Sequence, residues 1–220
     1  KDSFEFETLD KIPVKGKEKP VSVYRLKDKA FKARARSERE VYSEMVGRDQ
    51  ELARLELQIL KAVNGEGSVV NVVGEAGIGK SRLMAELKKR EVVKRVMLLE
   101  GRAISMGKNL SFYPIITLLK NWAHIREDDG ETAAMNKLQE AIRRVSVEEA
   151  DEIFPFVATL MGMKLSGKHA ERVKGIEGEA LEKLIFKNVR ELLIRSTEII
   201  PVVIVIEDLH WADTSSLLLI

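Results

Sequence analysis

The chain has 220 residues, 45% hydrophobic and 33% charged, a balance that excludes wholesale disorder and fits one sizeable core with an appendage. It has no cysteine, which rules out a disulfide scaffold, a cysteine zinc site and a thiol nucleophile, and fits a reducing, cytoplasmic compartment. Its 37 basic and 35 acidic residues leave a net charge of +2, too balanced for a nucleic-acid footprint, and no apolar run approaches the roughly 20 residues that cross a bilayer.

Residues 3–26 read as strand, turn and strand: Phe4, Phe6 and Leu9 alternate with polar residues, and Val21, Val23 and Tyr24 lie beyond Gly16 and Pro20. A lone hairpin is marginal in water, so this one is expected to pad another sheet, rest on the main body or pair between chains. Residues 27–45 are charged, lack Gly and Pro, and read as a helical or loosely ordered linker. The helical spacing of Leu52, Leu55, Ile59, Leu60 and Val63 predicts a helix from Asp49 to Val63, capped by Asp49 and stopped by Asn64, Gly65 and Gly67.

Val69–Val73 is a β-branched run broken only by Asn71, expected to be a strand buried on both faces of a parallel sheet. A helix from Ser81 to Glu91 and a second strand from Val96 to Leu99 complete a βαβ unit. From Pro114 to Ile200 the composition is helical, with Pro155, Gly162, Gly167 and Gly175 read as loop punctuation. A third buried strand, Val202–Ile206, ends in Glu207 and Asp208, and Leu217–Ile220 starts a helix that the chain end cuts off.

Gly74-Glu75-Ala76-Gly77-Ile78-Gly79-Lys80-Ser81 fits the phosphate-loop pattern G-x-x-x-x-G-K-[ST] and falls where that pattern requires, between a buried strand and a helix. Glycines let successive backbone N–H groups curl round phosphates, and the following helix points its positive end at them. Lys80 is then the residue that reaches the β- and γ-phosphates, and Ser81 supplies a hydroxyl to Mg²⁺. The fold class is accordingly α/β: a P-loop NTPase with a parallel sheet flanked by helices, a helical insert before the acidic (Walker B) strand, and an N-terminal hairpin. The metal needs a second acidic ligand at a neighbouring strand end. Glu207 takes the metal-facing position and Asp208 the water-polarising one, with their division of labour left open.

His210, at the same sheet edge, is read either as a γ-phosphate contact or as a packing partner of Trp211, and Asp213 as a cap for a helix starting at Thr214. Val46-Gly47-Arg48 reads by composition as a turn and a helix start. His124 and His169 stand alone, Ser105 and Ser111 have no paired base, and Met97, Met161 and Met163 read as core fillers.

From about Met45 onward the chain resembles the signal-transduction ATPases with numerous domains, a branch of the AAA-like P-loop ATPases. The resemblance is carried by VGRDQEL at 46–52, GEAGIGKSRL at 74–83, GRAISMGKNLSFYPIITLL at 101–119 and VIVIEDLHWAD at 203–213. It implies that Val46, Gly47 and Arg48 lie near the adenine, and that Arg82 belongs to the nucleotide-binding loop with Gly74, Glu75, Ala76, Gly77, Ile78, Gly79, Lys80 and Ser81. The segment FEFETLDKIPVKGKEKPVSVYRL at 4–26 resembles the final hairpin of a class III adenylate or guanylate cyclase domain.

Together the resemblances imply a three-part layout: 1–26 the end of a cyclase-like domain, 27–45 a linker, and 46–220 an ATPase domain truncated at its C-terminus. The expected ligands are ATP and Mg²⁺. The expected partners are an upstream cyclase domain, downstream helical repeats and a second copy of the chain at an uncovered sheet edge, with no nucleic acid and no membrane. The function this points to is a cytoplasmic ATP-binding and slowly hydrolysing switch. A nucleotide-responsive scaffold without turnover and the ATPase module of a transcription regulator are the alternatives.

Overall fold

A computed structural model describes residues 5–12, 21–28, 45–105 and 111–220 of the chain. The chain divides into two units, Lys1–Glu44 and Met45–Ile220. In the first, β1 (Glu5–Ile12) and β2 (Val21–Asp28) form an antiparallel pair, with Phe6 opposite Leu26, Thr8 opposite Tyr24 and Leu9 opposite Val23. The strand–turn–strand reading of this segment is therefore realised as two strands, the second running two residues beyond 26 into the expected linker. The remainder of that linker, 29–44, lies outside the described residues.

The second unit opens with α1 (Asp49–Val63), at the bounds its apolar spacing predicts. Arg48 holds the capping position, and Asp49 forms no side-chain cap. Asp49 and Glu51 instead place negative charge in the first turn, which favours the helix through its dipole. After the phosphate loop comes α2 (Lys80–Leu87), shorter than expected, because the chain passes into a 3₁₀ turn at Glu91–Arg95 before β3 (Met97–Arg102). Five helices follow: α3 (Tyr113–Trp122), α4 (Glu131–Val145), α5 (Ala150–Leu160), α6 (Gly167–Val173) and α7 (Gly178–Ile199). The chain then returns through β4 (Val202–Glu207) and a short 3₁₀ turn at Leu209–Trp211 to α8 (Thr214–Leu219).

β3 and β4 pair in parallel, Met97 opposite Val202 and Arg102 opposite Glu207. Successive β4 side chains point to opposite faces. Val202 and Ile206 join the large core built from α3, α4, α5 and α7, and Val203 joins a smaller core of Leu52, Ile59, Leu83, Leu87 and Val96. The strand, expected to be buried, is thus only partly covered: none of its residues is fully buried, and Ile204 is 44% exposed. Gly101 marks the tightest approach: a Cβ there would lie 2.6 Å from the carbonyl oxygen of Pro114 and 2.8 Å from Ile206 Cδ1. The missing side chain lets the first turn of α3 rest directly on β3.

Two expectations need correction. Val69–Val73 forms no strand among the described residues, and Val69 and Val73 are each 91% exposed. A β-branched run becomes a strand only when a neighbour completes its backbone ladder. The described ladder of this unit joins β3 to β4 alone, and the valines are left without cover. The loop punctuation fails at two places: Gly167 opens α6, and Pro155 lies inside α5, fully buried. Eight of that helix's eleven residues are buried, so packing outweighs the one backbone hydrogen bond that proline removes.

Candidate functional site

The phosphate loop is a tight turn feeding directly into α2. Gly77 and Gly79 have φ of 83° and 101°, a left-handed region that side-chain-bearing residues rarely adopt, and no atom lies within 4 Å of where their Cβ atoms would be. The Ile78 amide donates to the Glu75 carbonyl at 3.4 Å, and the Leu83 amide to the Gly79 carbonyl at 2.9 Å. The first N–H groups of α2, those of Lys80, Ser81 and Arg82, have no carbonyl four residues back within the helix to bond. They stand at its positive end, the arrangement that suits an anion.

Lys80 closes across this turn. Its Nζ donates to the carbonyls of Gly74 at 2.6 Å and Glu75 at 2.9 Å. An ammonium has three donors, so the one not spent on these carbonyls is available to a phosphate oxygen. Lys80 is thus engaged with the loop's own backbone rather than with the acid pair. Arg82, in the first turn of the helix, lies 3.8 Å from Glu86.

Val46-Gly47-Arg48 meets the loop through its arginine. Arg48 donates from Nη1 to Glu51 at 2.7 Å and from Nη2 to the carbonyl of Ile78 at 3.3 Å. The start of α1 is thereby latched to the phosphate loop, although Val46 itself is exposed. The Arg48 guanidinium holds the Glu51 carboxyl below the usual carboxylate range, first by hydrogen bonding and less by charge.

Glu207 and Asp208 stand where β4 ends. The Glu207 carbonyl accepts from the Ala103 amide at 3.0 Å, which extends the sheet by one rung. Asp208 leaves the strand with φ 56°, and Arg102, at the end of β3, donates to its Oδ2 from Nη2 at 3.1 Å and from Nε at 3.3 Å. The Trp211 amide donates to the Asp208 carbonyl at 2.8 Å, and the His210 and Trp211 rings lie 5.0 Å apart at 46°. The expected cap forms: Asp213 accepts from the Ser216 amide at 3.0 Å and starts α8 at Thr214.

The acid pair and the phosphate loop are linked through packing, since Val203 of β4 sits against the core that contains Leu83 and Leu87 of α2. No motif in the sequence includes Arg102 among the site residues, although its signal is there: a basic residue ending one apolar strand beside a strand that ends in acid. Phe112 is likewise outside the expected site, yet its backbone amide donates to Asp213 at 3.1 Å across 101 residues. Nothing local in the sequence marks that pairing.

The chain is similar over 176 residues, at 27% identity, to an uncharacterized protein of Rhizobium meliloti (strain 1021). The match covers 78% of this chain and 16% of that relative, so the chain spans about a sixth of the relative's length. No solved structure matches it. Residues 44–220 match the family described as "AAA ATPase domain", a span that contains the phosphate loop, the acid pair and the sheet between them. With that span covering most of its length and the P-loop α/β fold in place, the chain belongs to the AAA ATPase domain family.

Proposed function

We propose that this chain binds Mg·ATP at the phosphate loop and hydrolyses it slowly, as a regulatory switch within a larger cytoplasmic signalling protein. The observation that carries the reading is the loop itself: two left-handed glycines, Lys80 folded across them, and the start of an α-helix behind. Gly74, Glu75, Ala76, Gly77, Ile78 and Gly79 would wrap the phosphates, with Lys80, Ser81 and Arg82 in the first turn of the helix. Val46, Gly47 and Arg48 would lie toward the base, a placement that the Arg48–Ile78 hydrogen bond supports.

The donor chemistry fits Mg²⁺. The Ser81 hydroxyl and the Glu207 carboxylate are hard oxygen ligands. Among the described residues no three His, Asp or Glu side chains gather into a cage, so the ion would be shared with phosphate oxygens and water. When bound, it neutralises charge on the β- and γ-phosphates. Asp208 would orient the attacking water through the carboxylate oxygen that Arg102 does not hold.

The wider context belongs to the same proposal. The β1–β2 hairpin supports a layout in which residues 1–26 end a cyclase-like domain, 27–45 link it and 46–220 form the ATPase domain. The cysteine-free composition supports a cytoplasmic setting. Helical repeats downstream and a second copy of the chain remain the other proposed partners.

A second reading, a scaffold that binds nucleotide without turnover, is favoured by one observation: the carboxylate assigned to the water is held by Arg102. Phosphate release by the full-length protein, compared with Asp208→Asn, separates the two. The switch predicts a loss of about a hundredfold or more with nucleotide binding retained, on the scale of removing a general base. Equal rates in both proteins would leave the scaffold.

A further inference from the structure

The loop that follows β4 is tied to the rest of the unit by a carboxylate at each end. At its start Asp208 is held by Arg102 of β3. At its end Asp213 does more than cap α8. Its Oδ1 accepts from the Ser216 amide at 3.0 Å, which is the capping bond, while Oδ2 accepts from the Ser216 hydroxyl at 2.5 Å and from the Phe112 amide at 3.1 Å. A helix cap needs one oxygen. The second reaches a different element altogether.

Phe112 is an unusual partner. Its φ of 63° is left-handed, a conformation that L-residues with a Cβ avoid unless the surroundings enforce it. It occupies the capping position of α3, and its carbonyl accepts from the Ile116 amide at 2.8 Å. Its ring meets that of Phe186 in α7 edge-on, with centroids 5.7 Å apart and planes at 87°. One carboxylate therefore sets where α3 begins and, through one ring, where that start sits against α7.

We propose that Asp213 is a positioning residue that couples the acid pair at the end of β4 to the α3–α7 helices, so that nucleotide occupancy and the start of α3 change together; the proposal rests on the nucleotide reading above. Any movement of residues 207–213 toward a bound phosphate must either carry the Phe112 backbone along or break a hydrogen bond to a charged acceptor. Released from Asp213, Phe112 loses what holds it left-handed and can relax to an ordinary φ, shifting the first turn of α3. That gives the segment two discrete arrangements, which coupling between distant parts requires.

Asp213→Asn tests this selectively. The amide oxygen still caps α8, but an NH₂ group then faces the Phe112 N–H, donor against donor. Ser216→Ala is the control that keeps the Phe112 bond. The measurement is hydrogen exchange over residues 111–122 in the full-length protein with and without Mg·ATP, alongside calorimetric ATP affinity. The wild type and Ser216→Ala are expected to change exchange in this segment on adding Mg·ATP. Asp213→Asn is expected to bind with affinity within about threefold of wild type, to exchange the Phe112 amide about tenfold or more faster, and to lose the nucleotide response. A wild type that binds Mg·ATP without any change in this segment overturns the coupling while leaving the nucleotide reading intact, and needs no variant to fold. The same response in Asp213→Asn as in wild type also overturns it. Absence of Mg·ATP binding by the wild type removes the nucleotide reading and the coupling with it.

Discussion

Arg102 and Asp208, 106 residues apart in sequence, meet where β3 and β4 end side by side, with Nε and Nη2 of the arginine both donating to Oδ2 of the aspartate. The parallel pairing sets this up, because the register puts Arg102 opposite Glu207 and the left-handed turn at Asp208 swings the next carboxylate back toward the arginine. The side chains are 49% and 42% exposed, so the pair contributes about 0–1 kcal/mol and its significance is positional. It leaves Asp208 one oxygen outside the fork.

Arg102→Ala is therefore expected to raise ATP turnover by the full-length protein by up to about fivefold, the rate equivalent of releasing one exposed ion pair. ATP affinity should stay near wild type. Steady-state phosphate release checks this, and a fall in turnover together with a fall in affinity would mean that Arg102 contacts the nucleotide itself.

Gly101→Ala is expected to destabilise the ATPase unit by about 1–3 kcal/mol, the range for overpacking a tight contact. The added methyl would meet the Pro114 carbonyl and Ile206 at distances no Cβ tolerates, so α3 must lift from β3. Thermal or denaturant unfolding checks it, and an unchanged midpoint would contradict the close approach.

Ser196→Ala is expected to cost about 1–3 kcal/mol through a different mechanism. Ser196 is fully buried in α7, accepts from Trp122 Nε1 of α3 at 3.2 Å and donates to the Leu192 carbonyl at 2.8 Å. Removing the hydroxyl strands a buried indole N–H, which shows as lower stability and a shifted tryptophan emission. An unaltered spectrum and midpoint would refute the bond.

Acid should loosen the helical region through two carboxylates. Lys137 beside Asp129, and Lys168 beside Asp151, hold these carboxyls below the ordinary aspartate range, in each case chiefly by hydrogen bonding. A carboxyl whose folded pKa is depressed contributes stability above its unfolded pKa and loses it as pH falls through the folded value. Stability should thus be flat at neutral pH and decline below about pH 4. Lys137→Met and Lys168→Met together should flatten that decline, and an equally steep acid limb in the double variant would show that these pairs are not its source.

What the sequence made legible was local. The bounds of α1 follow from apolar spacing within one helix, the α8 cap from an aspartate one residue before Thr214, and the phosphate loop from glycines within a single turn. What it hid depended on partners far along the chain. Val69–Val73 has the composition of a buried strand, yet strand formation is a property of a pair, and no described strand pairs with it. Pro155 reads as a breaker until the surrounding core shows why α5 tolerates it. Arg102 and Phe112 acquire their roles only because the parallel sheet brings 102 to 208 and the start of α3 to 213.

The central claim is that residues 74–82 form a working phosphate site, and calorimetric titration of Mg·ATP into the wild type and Lys80→Ala tests it most directly. The account predicts saturable binding by the wild type and its loss, by about a hundredfold or more, in Lys80→Ala, because the charge-assisted contact to phosphate is removed, with the circular-dichroism spectrum unchanged. Equal ATP affinity in the two proteins would contradict it.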